Sequence, residues 1–241
     1  MKKPPLFSTI PNFDPKQAPI LPKDGRFKAL TADVVTEAFL TLKLLASLPA
    51  GQATDAHIPN NPLLKPSAVL IPIMQRGTDA NGLTVLLTMR SAKLRKHSGQ
   101  IALPGGKIDE EDDTAIATAL REALEEIGLP IANCQVIGVL PRHETGTGFE
   151  ITPIVALVNP DYTPALSEDE VSEIFEVPLL HLLNPDNHNR HELTWTNEDG
   201  THTRDWYGIP LLDLDGQARH IWGVTARVLR NFYEHLHGEP A

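Results

Sequence analysis

A single cysteine, Cys134, stands in the whole chain of 241 residues. Neither an intrachain disulfide nor a thiolate-based metal site can form, and a reducing compartment fits. Aromatic residues make up only 5% of the chain, too few for the stacking platform that reads single-stranded nucleic acid. Basic residues are in deficit as well: 21 Lys and Arg against 31 Asp and Glu give a net charge of −10. That balance argues against a general nucleic-acid binder, although a basic pocket or a metal inside an acidic protein still accepts a small anion. No apolar run approaches the roughly 20 residues of a membrane helix. The start, MKKPPLFSTIPNF, has no uninterrupted apolar stretch of the signal-peptide kind. The histidines include His188, His191 and His202 but form no HxH or HExxH pattern, so no zinc motif is present. Nucleic acid and membrane are therefore not expected partners. A cytoplasmic protein directed at a small molecule is expected, with a homodimer as an allowed state.

What the chain does have is 41% hydrophobic residues, enough for a real core in one domain. Prolines at 4, 5, 11, 15, 19 and 22 forbid a continuous helix and mark residues 1–30 as an extended arm, loose or draped on a domain spanning 31–241. Apolar spacing at Val34, Val35, Ala38, Leu42 and Leu45, with Thr31 as cap, predicts a helix from Thr31 to Leu48. AVLIPIM (68–74) and LTVLLTMR (83–90) read as strands joined by a hairpin turn at Asn81-Gly82. QIAL is a short strand before Pro104-Gly105-Gly106, and further strands are expected at 134–142 and 150–158. The remainder reads as loop-rich up to a closing helix from Val224 to Leu236. Cys134 and the three tryptophans read as packing residues, with Trp206 or Tyr207 as candidates to line a pocket.

The informative segment is PGGKIDEEDDTAIATALREALEEIGL (104–129). It predicts a helix from Thr114 to Ile127, stopped by Gly128. At about 100° per residue, Glu122 and Glu126 fall on one side of that helix a turn apart, and Glu125 lies on the flank. Carboxylates so close repel one another unless a cation sits among them, and hard oxygen ligands favour Mg²⁺ or Mn²⁺ over zinc. Arg121 lies one turn before Glu125 and can hold that carboxylate. Charge clusters of this kind are also common on solvated helix faces. Here Gly105-Gly106 precedes the cluster, and glycines let a backbone turn tightly and approach a ligand.

Together these residues resemble the Nudix box, G-x5-E-x7-R-E-U-x-E-E-x-G-U with U aliphatic. REALEEIGL matches its second half, with Ala123 at the first U. Gly106 and Arg121 are 15 positions apart, one more than the pattern, and either Asp112 or Asp113 stands where the box has its first Glu. Just upstream, LLTMRSAKLRKHSGQIALPGG (86–106) is similar to the coenzyme A pyrophosphatase branch of that family, LLTxR[SA]x3Rx3Gx3[FL]PGG. GFEITPIVALV (148–158), EVSEIFEVPL (170–179) and IWGVTARVLRNF (221–232) also look like that branch, whereas the arm and residues 184–205 find no counterpart.

The resemblance implies an α/β/α sandwich with a mixed sheet. It implies a Mg²⁺- or Mn²⁺-dependent hydrolase that converts coenzyme A, or an acyl or oxidised form of it, to 4′-phosphopantetheine and adenosine 3′,5′-bisphosphate. The rival readings are another nucleoside diphosphate derivative, such as ADP-ribose or a dinucleotide, and a catalytically silent sensing domain. Carried over to this chain, Glu122, Glu125 and Glu126 are the expected metal ligands, with Arg121 holding Glu125. Arg90, Arg95, Gly105 and Gly106 are the expected substrate contacts. The general base is left between Glu122 and a carboxylate of the later loop, Glu170 or Glu173.

Overall fold

The computed structural model describes residues 7, 10, 13–23, 25–45, 63–76, 82–93 and 99–238. Its centre is a mixed sheet ordered β3-β2-β1-β7-β5. These strands are β1 (Lys65–Gln75), β2 (Leu83–Arg90), β3 (Ile101–Ala102), β5 (Cys134–Val139) and β7 (Phe149–Val158). Three more pair onto it: β4 (Gly105–Lys107) on β1, β6 (His143–Glu144) on β7, and β8 (Val171–Pro178) on β2. β1 and β7 run parallel and every other pair is antiparallel.

The central strands are apolar runs because both sheet faces are covered. Strand alternation sorts their side chains. Ala68, Leu70, Met74, Leu86, Ile154 and Ala156 meet helix α2 (Ala115–Ile127) on one side. Ile71, Ile73, Val85, Leu87 and Val155 point the other way. There they meet α1 (Glu37–Leu45), α3 (Leu179–Leu182), α4 (Gly223–Leu236) and a second sheet. The expected α/β/α layering is found. Among the described residues no helix is long and apolar enough to cross a membrane.

Helix α2 matches its sequence signals closely. The Thr114 hydroxyl accepts the Ala117 N–H at 3.1 Å, and Gly128 ends the helix at φ 67°. Helix α1 does not. It starts at Glu37, capped by the Thr36 hydroxyl, while residues 31–36 form turns around the Thr31 carbonyl. Its buried residues are Leu40 and Leu44, and the expected stripe members Leu42 and Leu45 are exposed. Thr, Asp and paired Val are weak helix formers, so the first turn yields to local bonds. The end expected at 46–48 lies outside the described residues, as do Pro49, Gly51 and the turn at Asn81.

The largest correction concerns residues 184–222, read as loop. They contain β9 (Asn189–Asn197), β10 (Gly200–Leu212) and β11 (Ala218–Trp222), a three-stranded antiparallel sheet. Thr194, Thr196, Thr201 and Thr203 occupy much of the β9–β10 hairpin, so its alternation carries little hydrophobic signal. One face of this sheet, with Tyr207, Ile209, Leu211 and Ile221, joins the core. The other face lies under the arm. Leu21 N–H bonds the Arg190 carbonyl, Glu192 N–H bonds the Pro19 carbonyl, and Phe7 and Phe13 pack edge-on against Trp206 at 4.8 and 5.3 Å. The described part of the arm is draped, which places Trp206 beneath it.

Candidate functional site

Helix α2 is apolar toward the sheet, and its next face carries Glu122 and Glu126 toward β4. Strand β4 squeezes between β1 and that face, which dictates its glycines. Gly105 has φ 153°, and a Cβ there would lie 2.6 Å from Val69 Cα. A Cβ on Gly106 would collide with the Glu122 carboxylate. In return the Gly105 N–H donates to Glu126 Oε2 at 3.2 Å.

The third carboxylate arrives from the loop before β8. Tyr162 hydroxyl and Ala165 N–H both donate to the Ile127 carbonyl, and Ser167 N–H donates to the Glu126 carbonyl. The loop is thereby fastened to the end of α2. Ser91 N–H donates to the Glu170 carbonyl at 2.8 Å, fixing the loop against the end of β2. Carboxylate oxygens of Glu122, Glu126 and Glu170 all lie within 4.8 Å of one another.

These three charges have little compensation. Arg90 Nη1 is 3.7 Å from Glu126 Oε1, and Arg121 Nη1 is 3.1 Å from Glu122 Oε1. Glu126 is 3% exposed. Burial pushes its carboxyl up to about 7, with Glu122 and Glu170 adding repulsion and the Gly105 N–H and Arg90 opposing. Burial also raises Glu122, against the pull of Arg121. A buried carboxylate facing two more is unfavourable unless a cation joins it. The donor set, oxygen only, suits a hard divalent ion.

Arg121 is the organiser of the neighbouring loop. Its guanidinium donates to Asp112 at 3.1 and 2.9 Å, to Glu125 at 3.2 Å and to the Lys107 carbonyl at 3.2 Å. Asp112 is buried and also accepts from Asp109 N–H and the Thr118 hydroxyl. Arg121 and these donors hold its carboxyl below the usual range. Of the two aspartates in the position of the first Glu, Asp112 turns inward, and Asp113 is exposed.

A model of the NUDIX domain matches residues 64–200, more than half of the chain. The chain belongs to the Nudix family. Two similar Nudix proteins are from Escherichia coli K12, 40% identical over 164 residues, and Klebsiella pneumoniae, 39% identical over 174. The alignments cover 68% and 72% of this chain and 79% and 84% of those proteins. Both carry the name "uncharacterized Nudix hydrolase NudL". Among solved structures, DR0079 of Deinococcus radiodurans aligns with TM-score 0.44 at 16% identity, over 73% of this chain and 90% of that one.

The carboxylate cluster thus brings together most of the residues picked from the sequence, with two differences. Glu125 is exposed and paired with Arg121, outside the cluster, and Glu170 takes the third place. Glu173 faces the opposite side of the sheet, because strand alternation puts it on the side of Phe175 and Val177, which enter the other core. There it is held by Arg219 at 2.8 Å, and that pairing lowers its carboxyl. Arg95 lies outside the described residues. The tethers at Tyr162, Ala165 and Ser167 had no sequence signal, since two of the three act through backbone groups.

Proposed function

We propose that this Nudix hydrolase cleaves the pyrophosphate of coenzyme A or a derivative, giving 4′-phosphopantetheine and adenosine 3′,5′-bisphosphate, with Mg²⁺ or Mn²⁺. The observation that carries the reading is the convergence of Glu122, Glu126 and Glu170 beside Gly105-Gly106. It occurs in a chain whose residues 86–106 resemble the coenzyme A branch. Glu122, Glu126 and Glu170 would hold the cation. When bound, a divalent ion there supplies neutralisation of the pyrophosphate oxygens and a polarised water.

The chain's own groups do the rest. Arg90, beside Glu126, and Arg95 are the phosphate contacts. Gly105 and Gly106 keep β4 low enough for a phosphate to approach. Glu170 is exposed at the edge of the cluster and is the better-placed carboxylate to accept a proton from attacking water, with Glu122 as the alternative. Glu125 serves through Arg121 rather than as a ligand.

The test is hydrolysis of coenzyme A, dephospho-coenzyme A, ADP-ribose and a dinucleotide with Mg²⁺ or Mn²⁺, with products identified by mass. Preference for coenzyme A and the two named products supports the reading. A higher kcat/KM for ADP-ribose or the dinucleotide replaces it with another Nudix substrate, and no hydrolysis of any supports a silent domain. Neutralising Arg95 should raise KM more for the 3′-phosphorylated substrate than for its dephospho form.

A further inference from the structure

Between β7 and β8 the chain runs from Asn159 to Glu170 without a helix or strand, and Glu170 is the last residue before β8. A free loop of that length has many conformations, yet its last residue brings a carboxylate to the buried Glu126. The loop does so by capping α2. The last carbonyls of a helix have no partner inside it. Those of Ala123 and Leu124 are taken by the turn at Gly128 and Leu129, and those of Glu126 and Ile127 are taken by the loop. The Glu126 carbonyl accepts the Ser167 N–H at 3.0 Å. The Ser167 carbonyl in turn accepts the N–H of Glu170 at 3.1 Å and of Val171 at 2.8 Å. Ser167 thus joins the backbone of one cluster residue to that of another. The Ile127 carbonyl accepts the Ala165 N–H at 2.9 Å and the Tyr162 hydroxyl. Among the described residues, the Tyr162 bond alone of those joining the loop to α2 depends on a side chain.

We infer that Tyr162 is a positioning residue: by holding the loop on the end of α2, its hydroxyl sets the reach of Glu170 into the carboxylate cluster, and so the affinity of the cluster for a divalent cation. This rests on the reading of Glu122, Glu126 and Glu170 as the groups that hold the cation. Tyr162 is 5% exposed, and its ring belongs to the core cluster that includes Ile127, Leu129, Ala156 and Val158. A buried ring with two torsions has little freedom, so the core fixes where the hydroxyl lies. The backbone around it is pinned as well. Tyr162 N–H donates to the Asn159 carbonyl at 3.0 Å, and Arg76 Nη1 donates to the Pro160 carbonyl at 2.9 Å. Burial pushes the phenol up to about 12, so it remains a donor wherever carboxylates titrate. The docking is close: a Cβ on Gly128 would lie 3.1 Å from Ala165 Cβ. Without the hydroxyl the Ile127 carbonyl keeps the Ala165 N–H, so the helix end stays capped and the fold survives. What is lost is the constraint on residues 162–166, and through Ser167 on Glu170.

Titration of Mn²⁺ into the full chain, followed by the electron paramagnetic resonance of the free ion, tests this in wild type, Tyr162→Phe, Glu170→Gln and the double variant. Tyr162→Phe should weaken Mn²⁺ binding about tenfold, the low end of what groups that orient metal ligands contribute. Its melting temperature without metal reports that the fold is intact. Glu170→Gln should weaken binding too. The double variant should bind no more weakly than Glu170→Gln alone, because Tyr162 acts only through that carboxylate. Wild-type affinity in Tyr162→Phe overturns the inference and leaves the three carboxylates as the cation's ligands. An equal loss from Tyr162→Phe with and without the Glu170 carboxylate overturns it as well, since the hydroxyl then acts on the helix at large. Wild-type affinity in Glu170→Gln removes Glu170 from the ligands, and the inference with it. Binding is measured without substrate, so none of these outcomes depends on which pyrophosphate is cleaved.

Discussion

Glu170 and Glu173 are three residues apart and face opposite sides of one sheet. Glu170 joins Glu122 and Glu126, a cluster with little positive charge at hand. Glu173 meets Arg219, whose side chain is 4% exposed, bonds Asp213 as well, and lies 4.0 Å above the Phe175 ring. One region stores uncompensated negative charge and the other spends it in a closed ion-pair network. The difference separates a carboxylate cluster whose oxygens suit a cation from an ion-pair network that joins two sheets. Carboxylate count alone does not make that distinction, because both regions are acidic.

The largest expected effect comes from breaking the open cluster. Glu126→Gln should lower kcat by about a hundredfold or more, the scale on which metal-site groups act. Its melting temperature without metal should hold or rise, because one of three repelling charges is gone. Near-normal turnover would show that the cluster is not the catalytic centre. Next in size is Arg219→Met, which strands Asp213 and Glu173. It should cost about 3–5 kcal/mol in denaturant unfolding, the range for removing one partner of a buried pair. A cost under about 1 kcal/mol would mean the network is a surface ornament.

The paired glutamates sharpen the contrast directly. Glu170→Gln should slow turnover with little change in unfolding free energy, and Glu173→Gln should do the reverse. Equal effects on turnover would erase the distinction drawn between the two faces.

A pH series probes two histidines with buried ring nitrogens, His188 and His220. Burial pushes His188 and His220 down to about 4, against an ordinary 6.5. Between those values these two histidines bind more protons in the unfolded chain, so their contribution to stability rises with pH and is complete above about 6.5, whereas Glu126, raised to about 7, contributes in the opposite direction. From pH 6.5 toward 4 wild type should lose more melting temperature than His188→Gln, the difference isolating His188 from the opposing carboxylates. An unchanged slope in that variant would remove His188 from the account. The smallest effect is expected at Glu125→Gln, an exposed partner of Arg121. It should change stability by about 0.3–0.5 kcal/mol, since exposed pairs at this spacing contribute little.

Helix α2 was legible because its cap, apolar stripe and Gly128 stop are all local and agree with one another. Strand β2 was legible to the residue, being a short run of aliphatic and β-branched residues between Gly82 and the basic loop. Helix α1 was misread at its start because a Thr31 cap and a Val34-Val35 pair fit the helical period without favouring the helix. The β9–β10 hairpin was missed because threonines replace aliphatic residues where solvent or the arm, not the core, covers the strands.

By itself the sequence determined the family, the mixed sandwich, the Gly-Gly turn and the placement of Glu122 and Glu126 on one helix side. Those follow from spacings within about 25 residues. Tertiary structure alone decided that Glu170 completes the cluster and Glu173 does not, and that Asp112 rather than Asp113 holds Arg121. The physical reason is the same in each case. A side chain's direction is set by strand alternation and by backbone tethers to distant segments, and a one-residue change in register exchanges the two faces.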